Sequence, residues 1–343
     1  MVRWGRPQRR TKKRLGKMRF SITTPVLNGV RYIDETVLSV IGQAGDFSIR
    51  YHVQDGGSGD GTLEKLAQWA AVLGNGFPSL CRELEFSFSS ARDQGVYDAV
   101  NRGFEACGPS GAMTWINASD RLEPGALAAA SDIFGTFHDV AWITGLPRVF
   151  DERGVAVATM PLRVYPRAAI LAGIYDGRLY QYIQQEGTIW RAGLWEDSGG
   201  LDTAFRLAGD FDLWRRFARF ADLVSVEAGI GVFRRNKGQL SGDGEAYWAE
   251  LDASLNEEDR AARRAIASKL RGASKKNMEK AGLAARVLSP RVNNAWVMKY
   301  SPPLLKRRGI FPRLTRSLSK RMAGAYGIPA GADGLSAVAK DTK

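Results

Sequence analysis

Strand-like and helix-like segments alternate without interruption from Phe20 to Asp120, and this alternation constrains the fold more than any other feature. Phe20–Pro25 (FSITTP) is a short β-branched run ending at a proline. Asn28-Gly29 forms a turn, and Tyr32–Gln43 then places Ile33, Val37, Val40 and Ile41 at helical spacing. Ser48–Gln54 reads as a second strand, Asp55–Gly61 (DGGSGDG) as a glycine-rich loop and Thr62–Leu73 as a helix. Glu83–Ser89 alternates as a strand, Gly95–Ala106 is helical, and Ala112–Ile116 runs as a strand into Asn117-Ala118-Ser119-Asp120. Such a pattern predicts an α/β fold with a doubly wound, mostly parallel sheet flanked by helices. In such sheets ligands bind beyond the carboxyl ends of the strands. Three loops rich in Asp, Asn and Gly fall at those ends: Asn28-Gly29, Asp55–Gly61 and Asn117–Asp120.

Beyond residue 140 the pattern is less regular. Val140–Thr144 and Val155–Pro161 are strand-like, Asp210–Ala221 (DFDLWRRFARFA) is a helix, and a strand is expected over Leu223–Phe233. Residues 245–283 are helix-forming and charge-rich, and Pro302-Pro303 marks a break. The expected organisation is a basic disordered tail over 1–19 and a main domain over 20–240, with halves at about 20–125 and 126–240. A helical, basic extension follows over 241–322, then a Gly/Ala-rich disordered end over 323–343.

The formal charge of +13 suggests a polyanion partner until its location is considered. Of the 49 Lys and Arg, nine lie in residues 1–19 and eight in 299–321, and neither stretch holds an acid. The remaining 32 face 36 acidic residues, so the body is mildly acidic and nucleic acid is not an expected partner. Leu304–Met322 is expected to touch an anionic membrane surface, with Gly309 and Pro312 interrupting any helix there. Two cysteines, Cys81 and Cys107, make neither a disulfide framework nor a metal cluster and suit a reducing compartment. No apolar run approaches the ~18–20 residues that span a bilayer. The basic N-terminus lacks a following apolar core, so a cytoplasmic location is expected, peripheral to the inner face of the membrane. Met18 is a possible alternative start.

Several clusters carry chemistry, each with a structural alternative. In DGGSGDG, glycines can simply supply tight turns while Asp60 or Thr62 caps the next helix. Asp55, at the strand end, can instead accept hydrogen bonds from a nucleobase or ribose. The loop is not a dinucleotide fingerprint, which follows the first strand. Arg92 and Asp93 open a helix where they either face a ligand or belong to a solvated face with the Asp98/Arg102 pair. Asp120 can contribute to a divalent cation site or cap a turn before Pro124. Asp210 and Asp212 suit the dipole of a helix start. Glu186, Trp195 and the Gly199–Asp202 stretch upstream concentrate polar and aromatic groups as a carbohydrate site does. His52 and His138 are expected to be structural.

Taken together, TTPVLNG, VQDGGSGDGT, SARDQGVYDAVNRGF, WINASDRLEPGAL, QQEGTIWRAGLWEDSGGLD and GDFDLWRR resemble the family 2 glycosyltransferases of the GT-A fold, in order, over residues 20 to about 240. The resemblance implies an inverting transfer of a sugar from a nucleotide-diphosphate donor, with UDP-sugars favoured, to a carbohydrate or lipid-linked acceptor hydroxyl. It implies that Thr24, Pro25, Asn28, Asp55, Arg92, Asp93 and Asn117 bind nucleotide and donor. Asp120 would hold a divalent cation, Mg2+ or Mn2+, while Glu186 and Trp195 would face the acceptor. Asp210 would be the catalytic base and Asp212 structural. The sequence departs from the family where Ser119 replaces a second acid and Asn236 a frequent His. Competing readings are a non-catalytic relative, a polyanion- or membrane-binding protein, and a nucleotidyltransferase. The last would need a glycine-rich basic loop that TTPVLNG does not supply.

Overall fold

In the computed structural model, the described residues are 18–236, 239, 244–272, 275–281, 283–291 and 295–303. The stretches 1–17 and 304–343 lie outside them, and with them most of the expected N-terminal tail, the membrane-facing segment and the C-terminal tail; Arg19, expected in the disordered tail, instead opens the first strand. The chain begins with β1 (Arg19–Val26), α1 (Ile33–Ile41), β2 (Gly45–Asp55), α2 (Thr62–Gly74), β3 (Cys81–Ser90), α3 (Val96–Cys107) and β4 (Ala112–Trp115). Short elements follow: β5 (Arg121–Leu122), α4 (Ala126–Thr136), β6 (Trp142–Thr144), β7 (Arg148–Phe150), β8 (Ala156–Thr159) and α5 (Arg167–Leu171). After a 3-10 turn at Gln185–Gly187 come β9 (Thr188–Arg191), α6 (Ala192–Ser198), α7 (Gly209–Phe220), β10 (Leu223–Val226) and β11 (Gly231–Arg234). The described chain closes with α8 (Gly244–Ser254), α9 (Glu257–Gly272), α10 (Lys275–Lys280), β12 (Ala285–Pro290) and β13 (Trp296–Ser301).

The main sheet has nine strands in the order β13-β12-β10-β6-β9-β4-β1-β2-β3, and β9 and β13 run against the rest. The expected α/β class, with a large, mostly parallel sheet flanked by helices, is what is observed. A smaller sheet, β5-β11-β7-β8, stands beside it. One face of the main sheet packs Phe20, Ile22, Ile49 and Val53 under Ile33, Val37 and Val40 of α1 and Ala130, Ile133 and Phe134 of α4. The other packs Met113, Trp115, Trp142 and Trp190 against Val100 and Phe104 of α3 and Leu213, Trp214 and Phe217 of α7. Burial on both faces explains why the central strands read as near-continuous apolar runs.

Two expectations are corrected. Leu223–Phe233 is not one strand: β10 joins the main sheet and β11 the small one, with the chain turning at Glu227–Ile230. That turn is fixed from outside, since Ala228 carbonyl accepts from Leu146 N–H at 2.9 Å and Glu227 N–H donates to Leu288 carbonyl at 2.9 Å. The stretch 241–322 is not wholly helical either. After α8–α10, β12 and β13 form a hairpin that extends the main sheet through the parallel β10–β12 pair. The edge offered by β10 supplies partners for Val287 and Leu288, whose short run carries little strand signal alone.

Candidate functional site

At the end of β2, Asp55 is wholly buried and its carboxylate is taken up by its own loop. It accepts from Gly57 N–H at 2.9 Å, Ser58 N–H at 3.0 Å, Ser58 hydroxyl at 2.5 Å and Ser90 hydroxyl at 2.6 Å. Burial pushes its pKa up, but the bonds from Ser58, Ser90 and Gly57 together outweigh it and hold the group below the usual carboxylate range. The loop after β1 is latched to this one. Asn28, in the left-handed region at φ +52°, donates its N–H to Ser58 hydroxyl at 2.7 Å and accepts from Gly59 N–H at 3.0 Å. Asn tolerates that conformation better than most residues. Thr24 is buried, with its hydroxyl 2.9 Å from Tyr51 hydroxyl, and Pro25 is buried beside it. Both side chains are turned inward; the exposed part of this loop is Leu27 and Asn28.

The turn from β3 into α3 leaves Arg92 exposed. Asp93 accepts from Gly95 N–H at 3.0 Å, and its Oδ2 would stand 2.6 Å from a Cβ on Gly56. The turn and the glycine-rich loop therefore abut, and a side chain at residue 56 would displace the Asp93 carboxylate. Asp98 pairs with Arg102 at 2.7 Å, as the i,i+4 spacing predicts.

The antiparallel course of β9 brings in the next group. β9 runs against β4, so its amino end lies at the carboxyl edge of the sheet, with Ala112 opposite Arg191 and Met113 opposite Trp190. The Gln185–Gly187 turn thereby meets the loop leaving β4. Gln185 donates to Trp115 carbonyl at 2.7 Å, and Asn117 donates to Gln185 at 3.3 Å. From the other side β11 presses on the turn: a Cβ on Gly231 would lie 1.8 Å from Glu186 carbonyl oxygen. Asp120 and Glu186 are 1% and 4% exposed.

Asp120 and Asp210 are both close enough to Glu186 to act on its ionisation. Burial, then repulsion from Asp120, then a smaller repulsion from Asp210 push the Glu186 pKa well above its ordinary value. Burial raises Asp120 to about 7 against hydrogen bonds from Arg234 N–H and Asn117 and the Arg234 charge. Burial raises Asp210 to about 6, opposed by the bond from Phe211 N–H at 2.8 Å and reinforced by Glu250. Asp210 sits in the first turn of α7, half-buried, while Asp212 pairs with Arg216 at 2.8 Å and is structural.

Two expected roles do not fit this geometry. For Asp120 as a cation ligand, both oxygens already accept hydrogen bonds: Oδ1 from Arg234 N–H at 2.8 Å and Oδ2 from Asn117 at 3.1 Å. Arg234, itself buried, places positive charge beside it and is held by Ser119 carbonyl at 2.9 Å, Glu152 carbonyl at 3.0 Å and the Glu35 carboxylate. Among the described residues no group of three His, Cys, Asp or Glu could hold a metal. A donor set of this kind suits a structural carboxylate better than a hard-cation site, which needs free oxygens. Trp195, expected to face an acceptor, is buried. Its ring packs 4.8 Å from Phe104 and stacks 6.0 Å from Trp190, because the layer between α3 and α7 must be filled.

Three residues were missed by the sequence reading: Tyr97, Arg234 and Glu250. Tyr97 hydroxyl donates to Leu207 carbonyl at 2.7 Å, and Glu250 binds the backbone just before α7. Tyr97 lay inside a segment already singled out, but its partner Leu207 is distant in sequence. Nothing local marks Glu250.

No protein-family model matches this chain, and no curated protein matches it significantly. Among solved structures, similar ones include TarS 1-349 of S. aureus in complex with UDP-GlcNAc, at 16% identity over 77% of this chain and 69% of that one, with a TM-score of 0.49. Another is the mannosyltransferase PcManGT from Pyrobaculum calidifontis in complex with GDP-Man and Mn2+, at 15% identity over 78% and 79%, with a TM-score of 0.49. Overlap of this size carries no information on ligand or reaction, which rest on the groups gathered at the carboxyl edge of the sheet.

Proposed function

We propose that this chain is an inverting, nucleotide-sugar-dependent glycosyltransferase with Asp210 as its base. The observation that carries the reading is the placement of Asp210. A half-buried carboxylate with a pKa raised to about 6 opens a helix at the edge where the loops after β1, β2 and β4 converge. A base works best when its pKa lies near the working pH and its oxygen can reach the proton it removes. In the proposed reaction the acceptor hydroxyl oxygen forms a bond to the anomeric carbon as its proton passes to Asp210. The bond from that carbon to the diphosphate breaks, and its electron pair leaves on the phosphate oxygen. One displacement inverts the centre and needs one base without a covalent nucleophile, unlike a retaining glycosidase with its paired carboxylates. Arg92 and the Asn28–Ser58 latch lie where donor phosphates and nucleoside would approach.

UDP-sugars are the favoured donors and a carbohydrate or lipid-linked hydroxyl the favoured acceptor, in envelope or extracellular polysaccharide or glycolipid assembly. The basic segment 299–321 supports a place at the inner membrane surface. The test is a thermal-shift screen with UDP-N-acetylglucosamine, dTDP-glucose and GDP-mannose, with and without Mn2+, followed by donor turnover. Stabilisation by one donor, with turnover lost in Asp210→Asn, is the expected result. Absence of stabilisation by any of them would overturn the reading.

A further inference from the structure

The segment that delivers Asp210 is gripped from two sides. Glu250 on α8 accepts three consecutive backbone N–H groups: Arg206 at 2.6 Å on Oε1, then Leu207 at 2.8 Å and Ala208 at 2.6 Å on Oε2. Successive amides turned to one point form a concavity suited to an anion, and here a side chain of the same protein fills it. On the opposite side Tyr97 of α3 donates its hydroxyl to Leu207 carbonyl at 2.7 Å. Leu207 is thus bound at both its N–H and its C=O. The Tyr97 ring also underlies the first residue of α7, where a Cβ on Gly209 would fall 2.6 Å from a ring carbon. Gly209 therefore closes on the ring, and Asp210 follows directly.

We propose that Glu250 is the positioning residue of the base, acting with Tyr97 as a clamp that fixes residues 206–209 and sets both the orientation and the proton affinity of Asp210. The proposal rests on the reading of Asp210 as the base. The charge of Asp210 is felt on every side, by Tyr97 of α3, Tyr182 of the segment before Gln185, Glu186 of the 3-10 turn and Tyr247 of α8, while Glu250 of α8 is the acid that acts on Asp210 itself. Burial raises the pKa of all three tyrosines, so they stay neutral near pH 7 and the charged neighbour that acts on Asp210 is Glu250. The clamp also ties the base to α3, whose first turn follows Arg92 and Asp93. A shift of the donor-side turn would therefore be felt at Asp210.

The experiment compares the wild type, Glu250→Gln, Tyr97→Phe and Asp210→Asn. Carboxyl 13C NMR titration, with the Asp210 resonance assigned by its absence in Asp210→Asn, reads the ionisation directly. Turnover of UDP-N-acetylglucosamine and GDP-mannose reads kcat and KM. In Glu250→Gln the Asp210 midpoint is expected to fall below about 6 as the neighbouring charge is removed. Turnover should drop about tenfold or more through kcat with donor KM unchanged, because small misplacements of a reacting group are costly. Tyr97→Phe should lower kcat in the same way and serves if Glu250→Gln does not fold. An Asp210 midpoint and kcat that match the wild type in the variant that folds would overturn the clamp. Full turnover in Asp210→Asn would instead defeat the base reading, while the titration would still decide whether Glu250 governs Asp210.

Discussion

Asp55 and Asp210 are two carboxylates at the same edge of one sheet, and their surroundings have opposite effects. Asp55 takes four hydrogen bonds from Gly57, Ser58 and Ser90, and these carry its pKa down past the effect of burial. Asp210 accepts from Phe211 N–H at 2.8 Å, and burial with Glu250 nearby carries its pKa up to about 6. A carboxylate saturated by its own loop is held ionised and is a structural anchor. One whose pKa burial and a neighbouring acid carry up is ready to exchange a proton near neutral pH. This edge of the sheet thus divides into a rigid frame and a carboxylate whose pKa lies nearer neutrality.

The sharpest way to break this contrast is Asp210→Asn. Turnover is expected to fall about 10²–10⁴-fold, measured by donor consumption, while circular dichroism stays that of the wild type. For the wild type, kcat/KM should fall about tenfold per unit as pH drops below the Asp210 pKa, because the protonated form accepts nothing. The sign for stability is opposite. A folded pKa above the unfolded value near 4 gives stability that is full below that value and is lost as pH rises through about 6. Asp210→Asn should therefore melt higher than the wild type at pH 8 and lose this advantage at pH 4.

Next in size is Gly231→Ala, whose methyl would meet Glu186 carbonyl oxygen at 1.8 Å with backbone on both sides. The expected cost is about 3 kcal/mol in urea unfolding, at the upper end for overpacking. A variant as stable as the wild type would show that the Glu186 turn is not pressed by β11. Asp55→Asn should cost about 2 kcal/mol, since an amide cannot accept from all four donors. Its loss should show in unfolding at pH 7 and shrink as pH falls, because a depressed pKa gives stability that acid removes. A loss of donor affinity with unchanged stability would reverse the assignment of Asp55 as a frame residue. The smallest effect belongs to Asp212→Ala: about 0.5 kcal/mol, as an i,i+4 pair with Arg216 is worth little.

Much of this was visible along the chain. The period of Ile33, Val37, Val40 and Ile41 reported a helix, and the apolar runs at Phe20–Pro25 and Ala112–Ile116 reported buried strands. Asp210 stood out because an acid pair at a helix start is a local pattern. Trp195 misled for the same reason: a tryptophan among glycines and acids has one sequence signature, whether it stacks on a sugar or fills a layer beside Trp190. Asp120 misled because its partners, Arg234 and Glu186, lie far along the chain.

The sequence alone determined the strand–helix alternation, the α/β class and the loops at the carboxyl ends of the strands, because hydrophobic period and turn chemistry are properties of neighbours in the chain. Tertiary structure decided what those loops do. Only the antiparallel course of β9 placed Glu186 beside Asp120, only the return of α8 put Glu250 on the amides before α7, and only packing saturated Asp55. Each of these is a contact between residues distant in sequence, and no local pattern encodes which distant group will arrive.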